Sequence, residues 1–314
     1  MIAAHGVPAG ERGPGIAVVM IFLDAARFLR EALDSVVAQT WRDWELVLVD
    51  DGSTDDSPAI AREYVEKHPE RIRYVIHPGG ANRGLSASRN AGIAATTASL
   101  VAFLDADDVW QPDKLAEQHA ILAEHPTVDV VFGNTLYWYG WTGDPADAKK
   151  DRLWRQPAPS DVAVCAPEYL LACVSSGRWP SPGISSVIVR RDALARVGGF
   201  DESLVTWEDN ALMLKLLTSG GSYHADRCWD FYRRHGDSFM ARLERSGEVA
   251  TAHVAFLRWA RSYLVEHAVA FPAVMRAIDD DLRLHEHPLL GRLSRRYLQN
   301  KGRQLRDSLT RRVG

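Results

Sequence analysis

The chain has 314 residues, 46% of them hydrophobic, a net charge of -4 and three cysteines, Cys165, Cys173 and Cys228. That share of apolar side chains suffices for one large domain or two smaller ones with a real core. The mild acidity excludes a general nucleic-acid binder, and the lack of any CxxC pair argues against structural zinc and fits reduced thiols in the cytoplasm.

Residues 1–14 carry neither a basic n-region nor an apolar h-region and read as a flexible lead-in, not a secretory signal. The run Ile16 to Leu23 has eight apolar residues, which suits a buried strand and is too short to cross a bilayer. No longer apolar run follows, so a soluble or peripheral molecule is expected. Residues 25–38 place Leu29, Leu33, Val36 and Val37 on one helical face. Strands are expected at 44–49, 72–77 and 99–104. Helices are expected after "DDGSTDDS", with Pro58 in the first turn, and over "LSASRNAGIAATT". Strands alternating with short helices predict a mostly parallel sheet covered on both faces, whose ligands gather at the carboxyl ends of the strands. Those ends carry Asp24, then Asp50 and Asp51, then Asp105, Asp107 and Asp108, which predicts one shared acidic site.

Beyond residue 110 the pattern is less regular. A helix is expected over 111–125, a strand over 128–141 that runs into aromatics, and a mobile loop over the Pro-, Asp- and Lys-rich 140–160. A strand then a helix follow over 184–200, stopped by Gly198 and Gly199. A helix over 208–221 sets Leu212, Met213, Leu216 and Leu217 on one side. From about 245 the chain reads as helical, and its last 24 residues hold eight Arg or Lys against one Asp. There is no internal repeat.

"VAFLDADDVW" ends a greasy segment in three aspartates. On an extended segment Asp105 and Asp107 point the same way and would suit Mg²⁺ or Mn²⁺, with further ligands from a substrate diphosphate. A hydrated turn, with Asp108 near the start of the next helix, accounts for the residues equally well.

The segments "VDDGSTDDS", "NRGLSASRNAGIAA", "FLDADDVWQPDKL", "GGFDE" and "WED", in that order over roughly residues 15–240, resemble the family 2 glycosyltransferases of the GT-A fold. The resemblance implies a mixed, mostly parallel α/β sheet flanked by helices, with a nucleotide-binding half over 15–110, an acceptor half over 111–240 and a helical extension over 241–314. It implies transfer of a sugar from a nucleotide-diphosphate donor to a glycan or lipid-linked acceptor, with inversion and a divalent cation, in glycan or cell-envelope polysaccharide synthesis. Residue by residue, Asp51 matches the acceptor of hydrogen bonds from the donor's base, Asp105 the acid near the ribose and Asp107 the direct metal ligand. Arg83 lies where relatives contact the base. Asp209 matches the catalytic base, with Glu208 beside it supporting the site or contacting the acceptor. "FYRRHGDS" resembles the closing segment, where His235 would complete the metal shell and Arg233 or Arg234 would hold the diphosphate. The first strand departs from the family: Leu23 stands at a nucleotide-contacting position where a tyrosine is common, and it cannot stack on a base.

From the residues alone, Asp51 also reads as a cap on the turn before Ser53, and Glu208 and Asp209 as a favourable start to a helix. Trp179, Tyr137, Trp138, Tyr139 and Trp141 are candidates to stack on acceptor sugars, or core. The basic segment 291–314 reads as a solvated or packing helix, or as a contact with the inner face of a membrane; a further subunit is compatible with it. Two other readings are a catalytically silent nucleotide-sugar-binding module and a nucleotidyltransferase. The first would be expected to have lost one of the three key acids, and the second lacks its Gly-rich phosphate loop after the first strand.

Overall fold

The computed structural model describes residues 15–175, 179, 182–268 and 271–286. It divides into two compact units, Met1–Arg242 and Leu243–Gly314. The first unit opens with β1 (Ile16–Phe22), α1 (Ala26–Val37), β2 (Trp44–Asp50), α2 (Ser57–Lys67), β3 (Ile72–Ile76), α3 (Leu85–Ala94) and β4 (Leu100–Asp105). There follow β5 (Val109–Trp110), α4 (Lys114–Glu124), β6 (Val128–Trp138), α5 (Pro145–Ala148), β7 (Arg152–Trp154), β8 (Val162–Val164) and α6 (Glu168–Ser175). The unit closes with β9 (Ile188–Arg190), α7 (Arg191–Val197), α8 (Glu208–Ser219) and β10 (Gly221–Arg233).

All ten strands share one sheet of order β3-β2-β1-β4-β9-β6-β10-β5, with β7 added to β6 and β8 to β10. The run from β3 to β4 is parallel, and β9 is antiparallel to both β4 and β6. Every residue of β1 and β2 is buried, as a parallel strand covered on both faces requires. In α1, Leu29, Leu33 and Val36 are buried against it, and Val37 is partly buried.

The seat of α3 positions the site. A Cβ on Gly92 would lie 2.4 Å from Val19 Cγ1 and 3.2 Å from Val49 Cγ2. Glycine there lets the helix press directly on β1 and β2, which sets the height of Ser88 and Arg89 one turn earlier. The loops at the carboxyl ends of β1 and β2 are laced together. Asp24, at φ 50°, accepts from the Thr54 and Asp55 amides at 2.7 and 3.2 Å, and its own amide donates to Ser53 Oγ. Aspartate tolerates this left-handed conformation better than most residues.

Three expectations are corrected. Residues 140–160 are not one continuous loop: a 3₁₀ turn, α5 and β7 lie within that stretch. Asp151 Oδ1 accepts from the Tyr139 and Gly140 amides at 2.6 and 2.9 Å, folding the segment back so that β7 pairs with β6. Helix α8 is not one-sided, because every residue from Ala211 to Leu217 is buried. Asp108 does not start a helix, since α4 begins only at Lys114.

Helix α9 (Phe239–Ser246) crosses the division between the units. The second unit contains α10 (Val249–Glu266) and α11 (Pro272–Glu286). Phe256, Leu257, Ala260 and Leu264 of α10 and Val274 and Ile278 of α11 are buried. Arg261 donates to Asp279 at 2.9 Å between the two helices. Among the described residues no helix is long and apolar enough to cross a membrane. The expected lead-in 1–14 and basic segment 291–314 lie outside the described residues.

Gly92→Val should lower the unfolding free energy by about 1–3 kcal/mol, the usual cost of overpacking a filled core. Urea denaturation measures this, and an unchanged midpoint would mean that α3 is not seated as described.

Candidate active site

The three crowded aspartates are separated by giving each a different partner. Asp105, the last residue of β4, receives Arg89 Nη2 at 2.8 Å. Asp107 Oδ2 stands 2.9 Å from His235 Nε2. Asp108 is buried and accepts from Ser185 Oγ at 2.7 Å and from the Arg233 amide at 3.0 Å. The chain turns immediately after β4, with the Asp108 amide donating to the Asp105 carbonyl. The expected extended alternation of Asp105 and Asp107 therefore does not occur; a turn aims them separately. Burial and the neighbouring acids push the Asp105 and Asp108 carboxyls up, and Arg89 opposes this at Asp105.

Arg89 was not singled out by the sequence. Its side chain is 5% exposed and spans two carboxylates, Asp105 and, through Nη1 at 2.5 Å, Glu208. Burial alone would lower its pKa, but Asp105 and Glu208 outweigh that and raise it. The usable signal was position. Arg89 lies within a turn of Gly92 on a helix pressed on the sheet, and an arginine at such a place needs buried partners. Ser185 was missed too; its hydroxyl also accepts from the Asp105 amide at 3.1 Å.

Glu208 and Asp209 open α8, directly after Trp207 in a left-handed conformation at φ 64°. A bulky residue held there is strained, and such strain gathers where a turn must aim functional side chains. Asp209 is half-buried. Its pKa is pushed up to about 7, first by burial and then by the Glu208 charge, with Arg89 pulling it back.

At the far end of the sheet's first half, Asp51 accepts from the Arg83 amide at 2.7 Å, from the Gly84 amide and from Ser88 Oγ at 2.9 Å. The cap before Ser53 is made by Asp50, not Asp51: its Oδ1 accepts from the Gly52 and Ser53 amides at 3.1 and 2.7 Å. Arg83 itself is exposed, and Leu23 is 42% exposed at the end of β1.

The closing segment divides by face. Strand pairing opposes Tyr232 to Tyr137 and Arg233 to Trp138, so the two pairs point to opposite sides of the sheet. Arg233, expected at a diphosphate, is only 2% exposed. It donates to Glu31 at 2.5 Å and to the Asp107 carbonyl at 2.8 Å, and lies against Phe28, Trp138 and Trp141. Its Nε and Nη2 are therefore already engaged within the protein. Phe28 and Trp141 also lie against His235, whose ring centroid is 4.5 Å from that of Phe28 and 6.5 Å from that of Trp141. Trp138 thus packs on Arg233 and Trp141 on both Arg233 and His235, while Tyr137, Tyr232 and Arg234 occupy the other face. Tyr139 is half-buried, its amide held by Asp151. Trp179 is half-buried.

Among the described residues no three His, Cys, Asp or Glu side chains form a complete metal cage. The pair Asp107 and His235 nonetheless fits two places on one ion. Adjacent ligands of an octahedral ion stand about 3 Å apart, close to the separation observed here. Nδ1 of His235 is buried without a hydrogen-bond partner, so the ring's polar outlet is Nε2 toward Asp107. A carboxylate and an imidazole together suit Mn²⁺ better than Mg²⁺, which favours oxygen alone.

Residues 17–160 match the model of "Glycosyl transferase family 2". An uncharacterized glycosyltransferase of Nostoc sp. is 29% identical over 262 residues, covering 81% of this chain and 76% of the relative. Over residues 17–160 the chain is thus similar to glycosyltransferase family 2. YibD of Escherichia coli, an uncharacterized glycosyltransferase, is 29% identical over 74% of this chain and 64% of its own length. Two solved structures share the fold of this chain. TarS 1–349 of S. aureus in complex with UDP-GlcNAc aligns with a TM-score of 0.59 at 20% identity, over 85% of this chain and 70% of that one. The mannosyltransferase PcManGT of Pyrobaculum calidifontis, in complex with GDP-Man and Mn²⁺, aligns with 0.58 at 20% identity over 92% and 81%. The expected fold class, a mixed and mostly parallel sheet flanked by helices with C-terminal helices, is the one observed.

Arg89→Met should destabilise the protein by about 3–5 kcal/mol, because Glu208 and Asp105 lose the charge that permits their burial. Adding Glu208→Gln should recover part of the loss. Strict additivity of the two changes in a denaturation cycle would show that the residues do not interact.

Proposed function

We propose that this glycosyltransferase is metal-dependent and inverting, and moves a sugar from a nucleotide-diphosphate donor to an acceptor hydroxyl. The observation that carries the reading is Asp209: a half-buried carboxyl with a pKa raised to about 7, linked through Glu208 and Arg89 to Asp105, the acid that ends β4. A general base works best when its pKa lies near the working pH.

In this reading Asp51 receives the donor's base. Its Oδ1 is saturated by the Arg83 amide and Ser88, and Oδ2 retains capacity for one further N–H. Leu23 offers the base an apolar edge without a ring, and Arg83 stands exposed beside it. Asp105 holds the ribose side, its second oxygen left by Arg89. Asp107 and His235 would hold the divalent ion, Mn²⁺ or Mg²⁺, which when bound would neutralise charge developing on the departing diphosphate. Asp209 takes the proton from the acceptor hydroxyl as that oxygen attacks the anomeric carbon. Glu208 tunes this base: its charge keeps Asp209 weakly acidic, and its bond to Arg89 keeps it in place. One base and one displacement need no covalent sugar on the enzyme, which separates this site from the paired carboxylates of retaining glycosidases. A glycan or lipid-linked acceptor and a cytoplasmic setting, free or at the inner membrane face, belong to the same proposal. So does the division into a donor half over 15–110 and an acceptor half over 111–240.

The test separates binding from chemistry, using the donor chosen by a thermal-shift screen of UDP-, GDP- and dTDP-sugars. Asp107→Ala should abolish the Mn²⁺-dependent part of donor binding. Asp209→Asn should bind donor normally and lose about 10²–10⁴-fold in turnover. Wild-type turnover in Asp209→Asn would remove it as the base, and donor binding indifferent to Mn²⁺ would remove the metal.

The rate should depend on pH with a fixed sign. Asp209 acts only when deprotonated, so kcat/KM should rise through pH of about 7 and level off above it. Glu208→Gln removes the like charge that raises Asp209, and should move the rising limb to lower pH. A limb that stays in place or moves up would contradict the coupling.

A further inference from the structure

We propose that Asn90 is a positioning residue for the base: it closes the neck of the loop between α7 and α8 and so holds Asp209 in place. This rests on Asp209 being the base. The Asn90 side chain grips one residue of that loop at two points. Its Oδ1 accepts from the Phe200 amide at 2.9 Å, and its Nδ2 donates to the Phe200 carbonyl at 3.0 Å. The same Nδ2 also donates to Glu202 Oε1 at 3.0 Å. A side-chain amide offers acceptor and donors together, whereas aspartate lacks the donors and alanine lacks both. Gly199 makes room for this grip. A Cβ there would lie 2.7 Å from Asn90 Oδ1, and its φ of 64° favours glycine in any case. From α8, Lys215 donates to the Gly199 carbonyl, so the same stretch is held from a second helix.

The grip reaches Asp209 through Phe200 and Arg89. The buried Phe200 ring meets Phe103 of β4 edge-on, with centroids 5.3 Å apart. The Arg89 guanidinium carbon lies 5.3 Å from the Phe200 centroid, and the same guanidinium bonds to Glu208. Arg89 and Asn90 are consecutive, so one turn of α3 holds Phe200 at the start of the loop and Glu208 at its end. Loops whose ends are drawn together in this way are frequently functional. Just inside the second anchor, Trp207 keeps its left-handed backbone at φ 64°. Such a conformation persists only where its surroundings over-determine it, and the two anchors supply that constraint. With one released, Trp207 can relax, and Asp209, two residues on, turns out of its half-buried place.

None of the Asn90 bonds goes to Asp51, Asp105 or Asp107, so its loss should act on the base and spare the donor. The groups that act on the Asp209 carboxyl are Glu208 on its own helix, Arg89 on α3, Asp105 at the end of β4 and Tyr137 on β6. Burial raises the carboxyl most, ahead of the Glu208 charge, and Arg89 opposes both. Opening the neck admits water and lowers the midpoint of its titration. Drawing Arg89 away acts in the other direction, by less. The midpoint should therefore fall.

The experiment follows the Asp209 carboxyl of the full chain by ¹³C NMR titration, its signal assigned by its absence in Asp209→Asn. Two variants break the contact from opposite sides: Asn90→Ala removes the amide, and Gly199→Ala puts a methyl against Asn90 Oδ1. Ile72→Ala, in the core under the edge strand β3, is the control for lost stability alone. The Asp209 midpoint should fall by about one pH unit in each of the first two variants, and less than additively when they are combined. It should stay in place in Ile72→Ala. With the selected donor, kcat should drop about ten- to a hundredfold in Asn90→Ala while nucleoside-diphosphate affinity is unchanged. An unmoved midpoint in Asn90→Ala, or an equal fall in Ile72→Ala, would overturn the proposal. So would a loss of nucleoside-diphosphate affinity as large as the loss in kcat. Wild-type turnover in Asp209→Asn would instead remove the base reading, and it shows up apart from the titration.

Discussion

A single buried guanidinium holds this site together. Asp105 ends β4 and Glu208 begins α8, and their carboxylates are brought into one cleft because Arg89 bonds to both. An arginine cannot relieve its burial by losing a proton, so it stays charged and needs partners on both sides. The height of that guanidinium above the sheet is fixed by Gly92, which lets α3 touch Val19 and Val49. A packing detail between a helix and two strands thereby decides where Asp209 stands relative to the strand ends. Asp209, the proposed base, is thus placed by the core and by electrostatics.

The aromatic-rich end of β6 shows a second division of labour. Phe28, Trp138 and Trp141 surround Arg233 on one face, Phe28 and Trp141 also touching His235, and Tyr137, Trp154 and Tyr232 cluster on the other. On the first face rings and cation stiffen the turn that carries Asp107, through the bond from Arg233 to the Asp107 carbonyl. On the second they are left at the rim of the cleft. A single strand serves both because its successive side chains alternate.

The legible part of the fold was its first hundred residues. There the apolar runs are buried on both faces, and strand ends coincide with aspartates, so pattern and environment say the same thing. Further along they diverge. The stretch from Gly140 to Arg155 is polar because it lies on the surface, yet Asp151 and pairing with β6 order it. Helix α8 shows a one-sided stripe in sequence, but Lys215 and Asn210 are buried with the leucines, the lysine donating to the Gly199 carbonyl. At the site, the acids were visible as residue types at strand ends. Two of their partners were not, because Arg89 and Ser185 meet them only through contacts 16 and 80 residues apart in the chain. Sequence order also could not separate Asp50 from Asp51, where one carboxylate builds the turn and its neighbour reaches across to α3.

The lacing of the β1 and β2 loops through Asp24 has one more consequence. Three donors from the Thr54 and Asp55 segment converge on a single carboxylate oxygen, and Ser53 answers from the other side. In the proposed reading, the floor under an arriving nucleoside is therefore set by the fold. Ordering entropy that a floppy cradle would surrender at each encounter was spent once, when the chain folded. With Leu23 rather than a ring on that floor, the proposed donor site would draw its tightness from this preset shape more than from stacking.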